Sequence, residues 1–102
     1  MPPGPAPLLA CTRGGEVPVA GRGTVMDRCL DAGLPVASSC DGRGACGRCV
    51  MTILEGGSAL TPAGRRERRV LQRDGHPAGT RLACRCRVLA PARAVRVRAE
   101  YW

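Results

Sequence analysis

The fold of this chain is decided by the stretch Ser39-Cys40-Asp41-Gly42-Arg43-Gly44-Ala45-Cys46-Gly47-Arg48-Cys49-Val50. Five residues separate its first two cysteines, two separate the second from the third, and 34 residues lie between Cys49 and a fourth cysteine, Cys84. Three thiolates on one glycine-rich loop and a fourth from a distant strand are the ligands that a 2Fe–2S cluster requires. The spacing therefore predicts a metal site whose ligands are Cys40, Cys46, Cys49 and Cys84.

The glycines of this loop, Gly42, Gly44 and Gly47, are predicted to bring the backbone against the cluster. Glycine adopts positive φ without steric cost and has no side chain, so amide N–H groups can point at the sulfur atoms and stabilise the reduced state. Four thiolates also hold zinc, but zinc ribbons usually pair two C-x-x-C knuckles, and the later pair here is Cys84-Arg85-Cys86. The glycines and the asymmetric spacing favour iron, with zinc as the open alternative.

The remaining cysteines and the single histidine are interpreted as structural. Cys11, Cys29 and Cys86 are expected to be small hydrophobic residues of the core, although Cys86 is a conceivable substitute ligand or redox partner of Cys84. A Rieske centre needs two histidines, and His76 is the only one in the chain. His76 is therefore expected to be a solvated loop residue.

Local patterns in the first half of the chain predict a hairpin and a helix. Two apolar runs, 7–12 and 17–20, flank a glycine-containing turn and indicate two paired strands. Thr24 followed by Asp27 has the spacing of a capping box. The expected helix buries Val25, Met26, Cys29 and Leu30 and ends before Gly33 and Pro35.

The second half is predicted to contain a strand over 50–54, a helix over 62–73 and two further strands. Thr61-Pro62 has the pattern of a helix start, and this helix is expected to bury Val70 and Leu71. The alternation of apolar residues with arginine over 82–88 and 95–98 indicates two half-buried strands.

The ligand stretch, together with Arg81-Leu82-Ala83-Cys84, resembles the 2Fe-2S ferredoxin family, whose fold is the β-grasp. The resemblance covers Pro7 to Val97, and it implies an α+β domain over 7–102 after a Pro-rich tail, 1–6. It also implies a mixed sheet with one main helix and a second, short helix. The five-residue spacing is closer to adrenodoxin-like ferredoxins than to plant-type ones. It is also similar to the ferredoxin domains of sodium-translocating NADH:quinone reductases and of corrinoid reductive activators.

This resemblance implies a one-electron carrier with a single 2Fe–2S cluster, which passes electrons between a reductase and a downstream redox enzyme and catalyses no reaction itself. One alternative is a dedicated reductive activator, or the electron-entry module of one enzyme. The alternative from another class is a structural zinc module of a basic, polyanion-binding protein.

Charge and composition limit the kinds of partner that we expect. The net charge is +8 and all 16 basic residues are arginine, which favours an acidic partner surface. The arginine-rich segment 65–73 is either a docking face or a solvated helix surface. No internal aromatic residue offers a stacking platform, so nucleic-acid binding is not expected. The chain has no apolar run long enough to span a membrane and no signal peptide, and its odd cysteine count and C-x-x-C pair fit a reduced, cytoplasmic metal site. We also expect a monomer.

Overall fold

The computed structural model describes residues 8–19, 22–37, 48–89 and 94–102. Its strands are β1 (Leu8–Thr12), β2 (Gly15–Val19), β3 (Val50–Glu55), β4 (Thr80–Leu82) and β5 (Val95–Arg98). Its helices are α1 (Val25–Asp31) and α2 (Arg65–Arg73), with a short 3₁₀ turn at Gly57–Ala59. The strands form one mixed sheet in the order β2-β1-β5-β3-β4, in which only the β1–β5 pair is parallel within the described residues. The predicted α+β, β-grasp architecture is confirmed.

The central strands β1 and β5 supply the middle of the core. Leu8 pairs with Val95 and Ala10 pairs with Val97, and all four side chains are completely buried. Because successive side chains of a strand point to opposite faces, Arg96 and Arg98, which alternate with the valines of β5, face away from this core. The alternation predicted over 95–98 is confirmed.

Helix α1 begins as predicted, and its buried face differs from the prediction at two positions. The Asp27 N–H donates to Thr24 Oγ1 at 3.1 Å, and the Thr24 N–H donates to Asp27 Oδ2 at 3.0 Å, which completes the capping box. Leu30 was expected in the core but is 45% exposed, whereas Arg28 is 6% exposed. At 3.6 residues per turn, position 28 lies beside Val25, and position 30 is turned towards solvent.

Helix α2 begins later than the sequence predicted. Gly64, not Thr61, is its N-cap residue, and the helix starts at Arg65. Thr61 instead bonds to the segment after β4: its N–H donates to the Arg87 carbonyl at 2.9 Å, and its Oγ1 accepts from the Arg87 N–H at 3.1 Å. The hydroxyl group expected to cap the helix is already used in this tertiary contact.

The strand predicted over 82–88 is wrong beyond Leu82. The Arg85 N–H donates to the Leu82 carbonyl at 2.9 Å, so the chain turns directly after β4. Backbone groups of this turn pair with the loop before β3 and with α1 rather than with a neighbouring strand. Cys84 therefore lies on a turn and not on a strand. No helix within the described residues has the length and apolar character needed to cross a membrane.

Candidate metal centre

Cys49 and Cys84 come together next to the β3–β4 pair. Their Sγ atoms are 3.3 Å apart, and both residues are buried, at 1% and 7% exposure. Cys49 directly precedes β3 and Cys84 follows β4 by two residues, while Val50 and Leu82 are paired between these antiparallel strands. The Ala83 N–H donates to the Cys49 carbonyl at 3.1 Å. The sheet thus brings together two thiols that are 35 residues apart in sequence.

The distance between these sulfur atoms fits shared metal ligation. The two sulfur atoms are not joined by a disulfide, because 3.3 Å is far longer than a disulfide bond of about 2.05 Å. Two thiolates on one tetrahedral ion, with zinc-like metal–sulfur bonds of about 2.3 Å, lie about 3.8 Å apart. A side-chain adjustment of a few tenths of an ångström would meet that geometry. Cys49 and Cys84 are therefore suited to bind the same metal ion.

The other predicted site residues, Cys40, Cys46, Gly42, Gly44 and Gly47, lie outside the described residues. Their roles as ligands and as cluster-loop backbone stay predictions. Within the described parts of the chain, no group of three or more Cys, His, Asp or Glu residues is arranged to hold a metal ion. This is consistent with a four-cysteine site of which only two members are described.

The turn that carries Cys84 is also bound to α1. The Val25 N–H donates to the Cys86 carbonyl and the Met26 N–H donates to the Ala83 carbonyl, both at 2.9 Å. These bonds satisfy N–H groups that the first turn of a helix leaves without a partner. They place the residues on either side of Cys84 in fixed positions.

Glu67 is a buried residue that joins α2 to β4, and this role was not predicted from the sequence. It is 2% exposed, and its carboxylate accepts hydrogen bonds from Arg81 Nε at 2.7 Å, from Arg81 Nη2 at 3.1 Å and from the Leu82 N–H at 3.0 Å. The bond to Glu67 raises the pKa of Arg81. One signal was available: Glu67 lies three residues before Val70, on the apolar face of α2. The anchor fastens α2 to the end of β4, two residues before Cys84.

Arg28 carries a buried positive charge on α1. Its Nε atom is buried and has no hydrogen-bond partner among the described residues. Four thiolates around a 2Fe–2S core carry a net charge of about −2. A buried guanidinium on the helix that binds the Cys84 turn therefore fits a negatively charged group in this part of the molecule.

Two of the remaining cysteines behave as core residues, as predicted. Burial raises the pKa of Cys29 to about 11 and that of Cys86 to about 12. Both side chains belong to the hydrophobic core cluster, where a cysteine behaves as a small apolar residue. Cys11 is only half-buried, contrary to prediction. Leu8 and Ala10 of β1 face the core, so Cys11 points to the other face, where it lines a surface groove with Leu54, Arg98 and Trp102.

Two aromatic residues bind the segment that leads to the predicted ligand loop. The Ala37 N–H donates to the Tyr101 hydroxyl at 2.8 Å, and Trp102 Nε1–H donates to the Pro35 carbonyl at 2.8 Å. Burial raises the pKa of Tyr101, and the nearby Cys49 and Cys29 raise it further. The backbone that leads to the predicted ligand loop is thus bound at both Pro35 and Ala37.

One face of α2 is strongly positive. Its exposed arginines are Arg65, Arg66, Arg68, Arg69 and Arg73, of which Arg73 pairs with Asp74 at 2.9 Å. Glu67, the one acidic residue of the helix, is buried against Arg81 and contributes little negative charge to this face. The surface of α2 is therefore more uniformly cationic than its sequence suggests.

Comparisons with known proteins agree on the fold. The sequence profile of the 2Fe-2S iron-sulfur cluster binding domain matches residues 9–89. A Trichomonas vaginalis ferredoxin has a TM-score of 0.75 at 24% identity, over 92% of this chain and 100% of its own. The ISC-like 2Fe–2S ferredoxin FdxB from Pseudomonas putida has a TM-score of 0.80 at 18% identity, over 95% of this chain and 94% of its own.

A third similar structure belongs to a chain that is longer than this one. The ferredoxin reductase in carbazole 1,9a-dioxygenase has a TM-score of 0.68 at 21% identity, over 92% of this chain but only 26% of its own. A search of curated proteins found no match. At these identities, the structural similarities establish the shared fold.

Proposed function

We propose that this chain, which belongs to the family of 2Fe-2S iron-sulfur cluster binding domains, passes single electrons between a reductase and a downstream redox enzyme. The family match identifies the cofactor as one 2Fe–2S cluster, which replaces the zinc interpretation. When bound, this group supplies reversible one-electron exchange, so the chain is an electron carrier rather than a catalyst. The observation that carries the proposal is the buried Cys49–Cys84 thiol pair at 3.3 Å.

We assign Cys40, Cys46, Cys49 and Cys84 as the four ligands, with Cys49 and Cys84 on one iron. Gly42, Gly44 and Gly47 are assigned to the backbone that lies against the cluster and donates N–H groups to sulfur. The α1 N–H groups and Glu67 support this assignment because they hold the Cys84 turn in place before any metal binds. Such support limits the reorganisation that accompanies electron transfer.

The ligand assignment is tested by replacing each of the seven cysteines singly with serine and measuring iron and acid-labile sulfide. We expect strong cluster loss for Cys40, Cys46, Cys49 and Cys84. Full cluster content is expected for the matched controls Cys11, Cys29 and Cys86. Full retention in Cys84→Ser, or complete loss in Cys11→Ser, would contradict the assignment.

The partner is inferred to present an acidic surface to the exposed arginines of α2. Attraction between exposed charges extends over a Debye length of about 8 Å at physiological salt and raises association rates. The burial of Glu67 supports this docking role, because the face then lacks the acidic residue that its sequence places there. Small interfaces of this kind depend on steering more than on buried area.

The docking face is tested with an acidic flavodoxin as the one-electron acceptor in stopped-flow experiments. Arg65→Glu with Arg69→Glu is compared with the matched control Arg13→Glu with Arg98→Glu, since two reversals change the net charge from +8 to +4 in either protein (+8 − 4 = +4). At low salt we expect about a tenfold slower reaction for the α2 variant and a smaller loss for the control. Equal losses, or a wild-type rate that is independent of salt, would exclude this docking face.

A second candidate is the electron-entry module of a single enzyme. The similarity to about a quarter of a ferredoxin reductase favours it, because the fold there forms part of a longer chain. A dedicated module would exchange electrons rapidly with one partner only, whereas a carrier would react with several. Rates measured against a panel of reductases separate the two.

We further infer that residues 7–102 act as one domain and as a monomer in the cytoplasm, where reducing conditions keep thiols free for metal binding. Sedimentation analysis of the purified protein tests the monomeric state. A concentration-independent dimer would contradict it.

A further inference from the structure

We propose that Tyr101 and Trp102 are positioning residues that hold the start of the cluster-binding loop. We call this pair the aromatic clasp. The inference rests on the proposed function, because it takes Cys40 as a ligand. The two hydrogen bonds on which the inference is based join only residues that the structure describes.

The aromatic clasp joins distant parts of the chain. The Ala37–Tyr101 bond links residues 64 apart in sequence, and the Trp102–Pro35 bond links residues 67 apart. The bond to Tyr101 fixes the backbone N–H of Ala37, and the bond from Trp102 fixes the backbone carbonyl of Pro35, two residues earlier. The pair therefore defines both the position and the direction of the segment 35–37.

The aromatic clasp itself is attached to the core. The Trp102 side chain packs against the core cluster, and the backbone N–H of Trp102 donates to the carbonyl of Ala99 at 3.2 Å. Ala99 is 1% exposed and directly follows β5, a central strand of the sheet. The segment 35–37 is thus connected to the core through the Trp102 side chain, whereas Tyr101 is 45% exposed and reaches the core only through its backbone neighbours.

The distance along the chain shows what the aromatic clasp adds. Cys40 follows Ala37 by three residues, and an extended chain of three residues spans at most about 11 Å. Without the aromatic clasp, the preceding hydrogen bond is that of the Leu34 N–H to the Cys29 carbonyl at 2.9 Å, and Val36 keeps only its packing against the core. Six residues from Leu34 reach about 21 Å. Relative to the hydrogen bond of Leu34, fixing Ala37 halves the distance that the chain can span to Cys40.

The two ends of the interval 38–47 are then held independently. Ala37, just before this interval, is held by its hydrogen bond to Tyr101. Cys49, shortly after the interval, is held by the hydrogen bond that its carbonyl accepts from the Ala83 N–H. Prior ordering of ligand-bearing chain reduces the entropy lost when a metal binds. Loss of the aromatic clasp is expected to release the cluster faster and to admit water to it. Water favours the more negative, reduced state, so the reduction potential should rise.

The experiment compares Tyr101→Phe, Trp102→Phe and the double variant with the wild-type protein. Each phenylalanine keeps an aromatic ring and removes one hydrogen bond. Thr80→Val is the control, because its hydroxyl group donates only to the nearby Pro77 carbonyl. Cluster loss to excess iron chelator is followed by visible absorbance, and the reduction potential by spectroelectrochemistry.

We expect cluster loss to be about fivefold faster in each single variant and about thirtyfold faster in the double variant. The double variant should also show a more positive potential, whereas Thr80→Val should change neither property. Cluster loss at the wild-type rate in the double variant, or an unchanged potential, would overturn the positioning role. A wild-type protein that assembles no cluster would overturn the proposed function instead.

Discussion

Replacing Glu67 with glutamine removes a negative charge that the protein has buried beside the Cys84 turn. The carboxylate accepts two hydrogen bonds from Arg81 and one from the Leu82 N–H, at 2.7 to 3.1 Å. Glutamine keeps the shape of the side chain but replaces one acceptor oxygen with an NH₂ group. That donor would face the donors of Arg81, whose side chain is only 15% exposed. The variant therefore leaves a largely buried cation without its anion.

The expected cost follows from this burial. Removing one partner of a buried ion pair typically costs about 3–5 kcal/mol. Partial access of water to Arg81 favours the lower end of that range, so we expect a loss of about 3 kcal/mol. A small domain has a total stability of about 5–15 kcal/mol. The apoprotein should therefore be weakened strongly, and cluster assembly should slow because the turn before Cys84 loses its anchor.

Urea unfolding of the reduced apoprotein measures this cost. With an m-value of about 1.5 kcal/mol/M, a loss of 3 kcal/mol lowers the midpoint by roughly 2 M. The control is Asp74→Asn, which breaks the exposed Arg73–Asp74 pair on the same helix. Exposed pairs contribute little, so the midpoint of this control should barely move.

A double replacement separates the charge from the anchor. Glu67→Met with Arg81→Met removes the ion pair completely, which is often close to neutral in a buried site. The Leu82 N–H still loses its acceptor, at a cost of about 1–2 kcal/mol. We expect the double variant to be more stable than Glu67→Gln and less stable than the wild-type protein. If Glu67→Gln were no less stable than Asp74→Asn, the reasoning about this anchor would be refuted.

Four further predictions concern the site and its support. Arg28→Met should lower the reduction potential, because a buried positive charge favours the more negative, reduced state; an unchanged potential in spectroelectrochemistry would exclude this role. In the apoprotein, Cys29 should lower the free energy of unfolding by ~3 kcal/mol between about pH 9 and about pH 11, because its pKa is raised from 9.0 to about 11 and its thiol ionises first in the unfolded chain; Cys86, whose pKa is raised to about 12, should lower it further over the same range. Chemical denaturation across that range should show a smaller decrease in Cys29→Ala. Gly56→Ala should cost about 1–3 kcal/mol in thermal or urea unfolding, since Gly56 has φ +78° and a Cβ there would collide with the Ala94 carbonyl. Gly44→Val should reduce the yield of cluster per chain, measured as bound iron, and an unchanged yield would show that this glycine does not lie against the cluster.

Features that depend on local chemistry were predicted well from the sequence. The capping box of Thr24 and Asp27 needs only residues three apart, and the structure contains both of its hydrogen bonds. The alternation over 95–98 needs only the two-residue period of a strand. The burial of Cys29 likewise follows from the helical period of α1.

Features that depend on a tertiary partner were not predictable in this way. Thr61 has the local pattern of a helix cap, but its hydroxyl bonds to Arg87, which is 26 residues away. The period over 82–88 indicated a strand, but the Cys84 turn bonds to α1 and to Cys49 instead. Glu67 stands among arginines in the sequence, and its role as an anchor depends on Arg81, which is 14 residues away. In each case the competing partner lies far away in sequence.

The most direct test of a one-electron 2Fe–2S carrier is a coulometric reduction of the purified protein, monitored by electron paramagnetic resonance and by iron and sulfide analysis. We predict about two irons, about two acid-labile sulfides and one electron taken up per chain, with a paramagnetic signal only after reduction. A colourless protein that contains one zinc ion and takes up no electrons would contradict the account.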